Sequence, residues 1–276
     1  MMDTILQYTI EIRLFFFIGL FVLFAAWEIL LPDHISSYSR KSRWTWNLIL
    51  VVLNNFFIRI LLPVSALGMA EYVTRNRIGF LNKLDFPEWL LVIVGVIFLD
   101  FVIYIQHILF HSLPLLWKLH QMHHADLELD VTSGTRFHPI EILISMLIKF
   151  SAIILSGVNP FTVLLFEIIL NGMAMFNHSN IYIPKSIDNI LRYILITPSL
   201  HRIHHSILSK EYNSNYGFNL SIWDRLMGTL KVRHEGNLII GLPFFRDKKF
   251  LRLDWMLKIP VLKLERPLED LLFYTI

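Results

Sequence analysis

Long apolar runs are the feature that most constrains what this chain can fold into. The hydrocarbon core of a bilayer takes roughly 20 apolar residues as a helix. Candidate membrane helices cover 14–31, 47–70, 89–110, 139–157 and 160–176. The last two are short and are separated by the turn sequence "SGVNP", so we expect them to form a helical hairpin. The pattern predicts an integral, multi-pass membrane protein.

Composition agrees with this interpretation. Hydrophobic residues make up 55% of the 276 residues and charged residues only 17%, whereas a soluble domain carries about 25% charged residues. The chain has no cysteine, which excludes disulfide frameworks and thiolate metal sites. The N-terminal segment lacks the basic region and cleavage site of a signal peptide, so we expect the first apolar run to be a retained helix.

The pattern changes after residue 177, where segments become short, mixed and basic. We expect N-terminal transmembrane helices over 1–87, a catalytic domain over 88–235 and a C-terminal tail over 236–276 packed on the same domain. The predicted fold class is all-α, with a multi-pass membrane stem and a histidine-rich, mainly helical cap. The uncharged hairpin turn and the basic tail predict that histidines and C-terminus lie on the cytosolic side, with the N-terminus outside.

Histidines are the second unusual feature. Ten of the twelve lie between residues 107 and 205. One H-x-x-x-H pair is followed by two H-x-x-H-H boxes, and helical spacing would place each group on one helix face. Asp100 and Tyr104 continue the face of the first pair. The groups are His107 and His111; His120, His123 and His124; and His201, His204 and His205.

Such a set predicts metal binding. Imidazole suits zinc, copper, iron and nickel, and eight to ten histidines fit two metal ions better than one. The sequence has no H-E-x-x-H and no paired E-x-x-H, which argues against a zinc peptidase and a carboxylate-rich di-iron bundle. Burying so many imidazoles without a shared purpose would be costly. Isolated histidines such as His34 and His234 are interpreted as ordinary polar residues.

The motifs "HILFH", "LHQMHH" and "LHRIHH" resemble the histidine boxes of the fatty acid hydroxylase/sterol desaturase superfamily. The neighbouring "TRFHPIE", "FNHSN" and "NYGFNLSIWDRLMGTL" are similar too, so the resemblance covers about 95–232. It implies a membrane-embedded enzyme that uses O₂, two electrons and two iron ions to hydroxylate or desaturate a lipid C–H bond. The implied ligands are the eight box histidines with His178 as a ninth. His138 is either a further ligand or part of a network with Arg136 and Glu141.

Four acidic residues are candidates to accept a hydrogen bond from the outer nitrogen of a ligating imidazole. They are Asp100, Asp126, Glu141 and Asp224, and the alternative for each is an ordinary cap or salt bridge. Asn215 is a candidate to orient a histidine. We expect electrons from a separate carrier protein, because 177–276 leave no room for a fused electron-transfer domain. Other expected partners are the membrane and a lipid substrate from it; no nucleic acid is expected.

Two other classes of function stay open. The chain is alternatively a membrane metal-binding or transport protein, although transport would place ionisable residues at mid-membrane and the boxes lie at helix ends. It is alternatively a non-catalytic family member, which the intact boxes disfavour. Zinc is an alternative metal in the purified protein. The substrate class also stays open: a fatty acyl chain, a sterol or other isoprenoid, an ether lipid or a carotenoid.

Overall fold

The computed structural model describes residues 7–262, and this part of the chain is helical without a β-strand. The prediction of an all-α, multi-pass fold is confirmed. Five segments are long and apolar enough to cross a membrane. They are α1 (Thr9–Leu30), the pair α2 (Arg40–Leu61) and α3 (Ala66–Arg75), α4 (Glu88–Ser112), α6 (Pro139–Ser156) and α7 (Pro160–His178). The cap helices are α5 (Pro114–His124), α8 (Lys185–Leu191), α9 (Pro198–His204), α10 (Ser209–Tyr212), α11 (Ile222–Leu226) and α12 (Leu253–Met256).

The second span differs from the single helix predicted over 47–70. It begins earlier, at Arg40, because the Ser39 side chain accepts a hydrogen bond from the Ser42 backbone N–H and caps the first turn. It is interrupted over 62–65, because Pro63 lacks the N–H that a continuous helix needs. Ser65 then caps α3.

Contacts between helices define two ends of the bundle. Arg13 near the start of α1 pairs with Glu167 at 3.1 Å, and Phe24 near its end contacts Phe176, so α1 and α7 run parallel. The loop before α4 lies against the hairpin turn through the Phe80 N–H and the Leu155 carbonyl. The start of α1, the hairpin turn and the start of α4 therefore share one end, here called the turn end. The opposite end of α1, α4 and α7 carries the cap and is called the histidine end.

The tail supports the cap from outside. Residues 242–261 pack in one apolar cluster with α2 and α5, which includes Leu50, Met122 and Phe245. Arg136 is fully buried and donates to the carbonyl oxygens of Met122 and Phe250 at 2.9 and 2.7 Å. The tail is thereby tied to the helix of the first H-x-x-H-H box. Residues 263–276 of the predicted tail lie outside the described residues.

Candidate metal centre

The histidine end gathers nine histidines into two adjacent clusters. Within each cluster, one ring nitrogen per residue lies within 4.8 Å of the others. Eight of the nine come from the three sequence motifs, and the ninth is His178; His138 belongs to neither cluster. All nine are buried. The first cluster comprises His107, His111, His120, His124 and His204, and the second comprises His123, His178, His201 and His205.

The H-x-x-H-H spacing divides each box between the two clusters. On α5, His120 and His124 are four residues apart and enter the first cluster, while His123 enters the second. On α9 the division is reversed, because His201 and His205 enter the second cluster and His204 the first. Residues four apart lie above one another on a helix. The middle histidine of each box is rotated by about 100° from the last one, which follows it directly. A short helix wedged between two sites therefore serves both.

Distances between ring nitrogens fit ligands of a shared metal ion. Metal–imidazole bonds of about 2.0–2.1 Å place neighbouring ligand nitrogens about 3.0–3.4 Å apart. In the first cluster, the Nε2 atoms of His107 and His120 are 3.2 Å apart. In the second, His178 Nε2 lies 3.1 Å from His123 Nε2 and 2.9 Å from His201 Nε2. These spacings are close to the edges of a coordination polyhedron.

Backbone carbonyls fix the protonation of three rings. His107 Nδ1 donates to the Tyr216 carbonyl at 2.8 Å, and His204 Nδ1 donates to the Ser214 carbonyl at 2.7 Å. His178 Nδ1 donates to the Ala174 carbonyl at 2.7 Å. A carbonyl only accepts, so the Nε2 atom of each neutral ring is a bare lone pair. Lone pairs converging in a buried space repel one another unless a cation lies between them. The donor set therefore fits metal ions.

Buried imidazole nitrogens without a hydrogen-bond partner also indicate metal binding. Among the described residues, the Nε2 atoms of His111, His124 and His204 are buried and lack any hydrogen-bond partner. A buried polar atom without a partner costs free energy, and a bound cation would satisfy each of these three lone pairs.

Burial also keeps the cap histidines neutral. It lowers the pKa of His120 to about 3. Burial and then the neighbouring imidazoles lower the pKa of the other five clustered cap histidines well below the ordinary value; these are His123, His124, His201, His204 and His205. Neutral imidazole is the form that binds a metal, so these rings need no deprotonation at neutral pH.

Glu141 is the acidic candidate that contacts an imidazole. It lies in the first turn of α6, and its Oε1 is 2.6 Å from His120 Nδ1. This contact leaves His120 Nε2 facing the first cluster. A carboxylate in this position fixes the ring and increases its basicity as a ligand.

The other three acids form hydrogen bonds elsewhere in the described structure. Asp100 accepts from Trp223 Nε1 at 2.7 Å. Asp126 pairs with Arg43 at 3.0 Å; burial raises its pKa, but Arg43 and Arg136 outweigh this and lower it overall. These are structural contacts that position the cap around the clusters.

The loop over 213–217 orients rings through its backbone, which the sequence does not reveal. Asp224 holds this loop by accepting the N–H groups of Tyr216 and Gly217, both at 2.8 Å. The loop then presents the Ser214 and Tyr216 carbonyls described above. Asn215 adopts a positive φ of 52°, and its side chain bonds to backbone groups of Leu200 and Lys231. It shapes the loop and orients no ring directly.

The "TSGTRFHPIE" segment packs under the second cluster. A Cβ on Gly134 would lie 2.3 Å from the Ala174 carbonyl oxygen and 3.1 Å from His178 Nδ1, so this approach requires glycine. The Phe137 ring stacks on His123 at 4.4 Å. His138 Nδ1 instead accepts the Ile140 N–H at 3.2 Å and caps α6.

The sequence profile described as fatty acid hydroxylase matches residues 92–229, which include all nine clustered histidines. The chain belongs to the fatty acid hydroxylase family. The resemblance inferred from the histidine boxes is thereby confirmed.

Three relatives illustrate the range of this family. The ornithine lipid hydroxylase OlsE of Rhizobium tropici is 33% identical over 145 residues, which are 52% of this chain and 43% of that protein. Human alkylglycerol monooxygenase is 30% identical over 175 residues, 62% of this chain and 37% of that protein. The very-long-chain aldehyde decarbonylase GL1-11 of Oryza sativa subsp. indica is 27% identical over 242 residues, 83% and 85% of the two chains. The chain thus spans less than half the length of the first two. No solved structure matches it significantly.

The contact between Glu141 and His120 yields a testable prediction. We expect Glu141→Ala to weaken metal binding by about 10–100-fold, the usual cost of removing a partner that orients a ligand. Glu141→Gln should recover part of the loss, because its amide oxygen still accepts from His120 Nδ1. Competition with a chelator measures the affinity. Glu235→Ala, at an exposed position on the cap, is the control. Unchanged affinity in Glu141→Ala would contradict the orienting role.

Proposed function

We propose that this protein is a membrane-bound, O₂-dependent oxidoreductase that hydroxylates or desaturates a lipid C–H bond at a di-iron site. The proposed ligands are the nine clustered histidines, with His138 as a helix cap and not a ligand. The observation that carries the proposal is the pair of adjacent, buried imidazole clusters at one end of a membrane bundle. Family membership and relatives named as lipid hydroxylase and monooxygenase support it.

Iron is preferred to zinc on chemical grounds. An all-imidazole donor set accepts either metal. Zinc has no redox chemistry, whereas hydroxylation by O₂ requires electron transfer. An iron pair bound by the two clusters would supply O₂ activation with electrons from outside.

The chain's own residues orient the imidazole rings and exclude water from the clusters. Glu141 and the carbonyls of Ala174, Ser214 and Tyr216 hold four rings with Nε2 directed inward. Phe137 covers His123. A rigid, buried ligand set of this kind would hold metal ions in a fixed position next to the bilayer.

We propose a polar membrane lipid with a long hydrocarbon chain as the substrate. Relatives of at least 30% identity are named for ornithine lipid and alkylglycerol, which share this chemistry. A sterol is less favoured, because human cholesterol 25-hydroxylase is 25% identical over 153 residues. A second candidate activity is aldehyde decarbonylation, which the rice relative favours because its alignment covers most of both chains.

A separate electron-transfer protein is the proposed donor. Exposed cationic side chains on the cap would attract an acidic carrier and speed its encounter. They include Lys118, Lys210, Arg233, Lys248 and Arg252.

We further propose that the histidine end faces the cytosol. Arg40 and Lys41 lie at this end and Arg75 and Arg77 at the turn end, so the positive charges of these loops do not decide the orientation. The exposed basic cap favours the cytosolic side for the histidine end.

The chain has no cysteine, so Lys248→Cys introduces a unique thiol on the cap. We expect a membrane-impermeant maleimide to label it in inside-out vesicles and not in intact cells. The reverse pattern would show the opposite topology.

One substitution in each cluster tests the activity. Purified protein in lipid vesicles is given a reductant, an electron carrier and ¹⁸O₂, with ornithine lipid, alkylglycerol, cholesterol and a long-chain aldehyde as substrates. We expect one of these substrates to be oxidised: a hydroxylated lipid would carry ¹⁸O from O₂, whereas a desaturated lipid would contain a new C=C bond and no added oxygen. His123→Ala and His204→Ala should reduce product to background while the protein stays in the membrane.

The matched control is His234→Ala, an exposed histidine outside both clusters, which should retain activity. Product formation by both cluster variants would contradict the proposed ligands. A shortened hydrocarbon from the aldehyde, without hydroxylation of any lipid, would favour decarbonylation instead.

A further inference from the structure

One part of the cap runs down the side of α4 towards the membrane interior. Trp223 on α11 donates to Asp100 at 2.7 Å, and its ring lies 4.9 Å from that of Phe101. Asp100 is near the middle of α4 and about 10 Å along the helix axis from His107, at a rise of about 1.5 Å per residue. α11 therefore lies beside the middle of a helix that is long and apolar enough to cross a membrane.

Polarity in this part of the cap is inverted relative to a water-facing surface. Asn219, Ser221 and Asp224 are buried, whereas Ile222 and Met227 are exposed. Leu226 is 69% exposed. The neighbouring segment before α9 is alike, with Ile190 71% exposed. We call the exposed apolar set the leaflet patch: Ile190, Tyr193, Ile194, Ile222, Leu226 and Met227.

The two segments form one continuous surface. The Ser221 N–H donates to the Ile194 carbonyl, and the Ile196 N–H donates to the Asn219 carbonyl, both at 2.9 Å. The Arg225 guanidinium lies 4.8 Å from the centre of the Tyr193 ring. The patch is therefore a single apolar face, and one such face on a protein marks an interaction surface.

Several backbone N–H groups in this surface are paired within the protein. Polar backbone groups in lipid must be satisfied within the protein. The Met227 N–H donates to the Trp223 carbonyl, and the Thr229 and Leu230 N–H groups donate to the Asp224 carbonyl. The Tyr193 and Ile194 N–H groups are likewise paired, with carbonyls of α8.

We propose that the leaflet patch is inserted among the acyl chains of the leaflet at the histidine end. Its depth along α4, its inverted polarity and its continuity with a membrane span favour lipid over water or a soluble partner. This part of the cap is then a membrane-embedded element and not part of the water-facing surface. The proposal does not depend on a bound metal.

Single-cysteine labelling tests this insertion. Leu226→Cys and Ile190→Cys each carry the only thiol, because the chain has no cysteine. Both positions are exposed, so the substitutions should be tolerated; two separate positions keep the test valid if one variant misfolds. Each is labelled with the fluorophore nitrobenzoxadiazole in vesicles of phosphatidylcholine and phosphatidylglycerol. Quenching is measured with doxyl-labelled lipid and with aqueous iodide.

Two reference positions calibrate the result. Ile18→Cys lies on the exposed face of α1, and Lys248→Cys lies on the exposed cap. We expect the patch labels to match Ile18→Cys, with strong quenching by lipid and weak quenching by iodide. Labels that match Lys248→Cys would overturn the proposal. Resistance to both quenchers would also overturn it, because protein, such as a second copy of the chain, would then cover the patch.

Discussion

Converging lone pairs of buried imidazoles are the constraint on which this structure depends. Carbonyls that accept from Nδ1 of His107, His178 and His204 direct their Nε2 atoms into two shared spaces. Without cations these lone pairs would repel one another where water is excluded. Much of the cap is organised to hold the rings in place: the 213–217 loop, Glu141 and the Gly134 turn each contact a clustered histidine or its acceptor.

Helix periodicity explains why two H-x-x-H-H boxes build two sites. Each box lies on a short helix between the clusters and contributes two rings to one and a single ring to the other. α5 contributes two rings to the first cluster and one to the second, whereas α9 contributes one and two. Together the two helices contribute three rings to each cluster. The membrane helices complete the arrangement, because α4 adds two rings to the first cluster and α7 adds His178 to the second.

The sequence predicts those features that depend on local pattern. Apolar runs place most of the long helices to within a few residues, and the spacing of the boxes identifies the histidines that the structure brings together. Features that depend on tertiary contacts cannot be predicted from the sequence alone. Of the four candidate acids, only Glu141 forms a hydrogen bond with an imidazole, because the fold places the first turn of α6 beside His120.

Backbone groups and burial are equally hidden from sequence. The carbonyls of Ser214 and Tyr216 carry no side-chain signal, because any residue at these positions has the same backbone oxygen. The basic composition of the cap predicts a surface that faces water as a whole, yet Asp224 is buried and Leu226 exposed. Only the packing of α11 against α4 reveals this inversion.

Metal content per chain tests the central claim most directly. The protein is purified in mild detergent without chelators, and metals are quantified by elemental mass spectrometry against protein concentration. Two iron ions per chain, one for each cluster, is the result that the proposed function predicts. Two zinc ions would retain both clusters as metal sites but contradict iron as the bound metal. Protein without bound metal would contradict the interpretation of the two clusters as ligand sets.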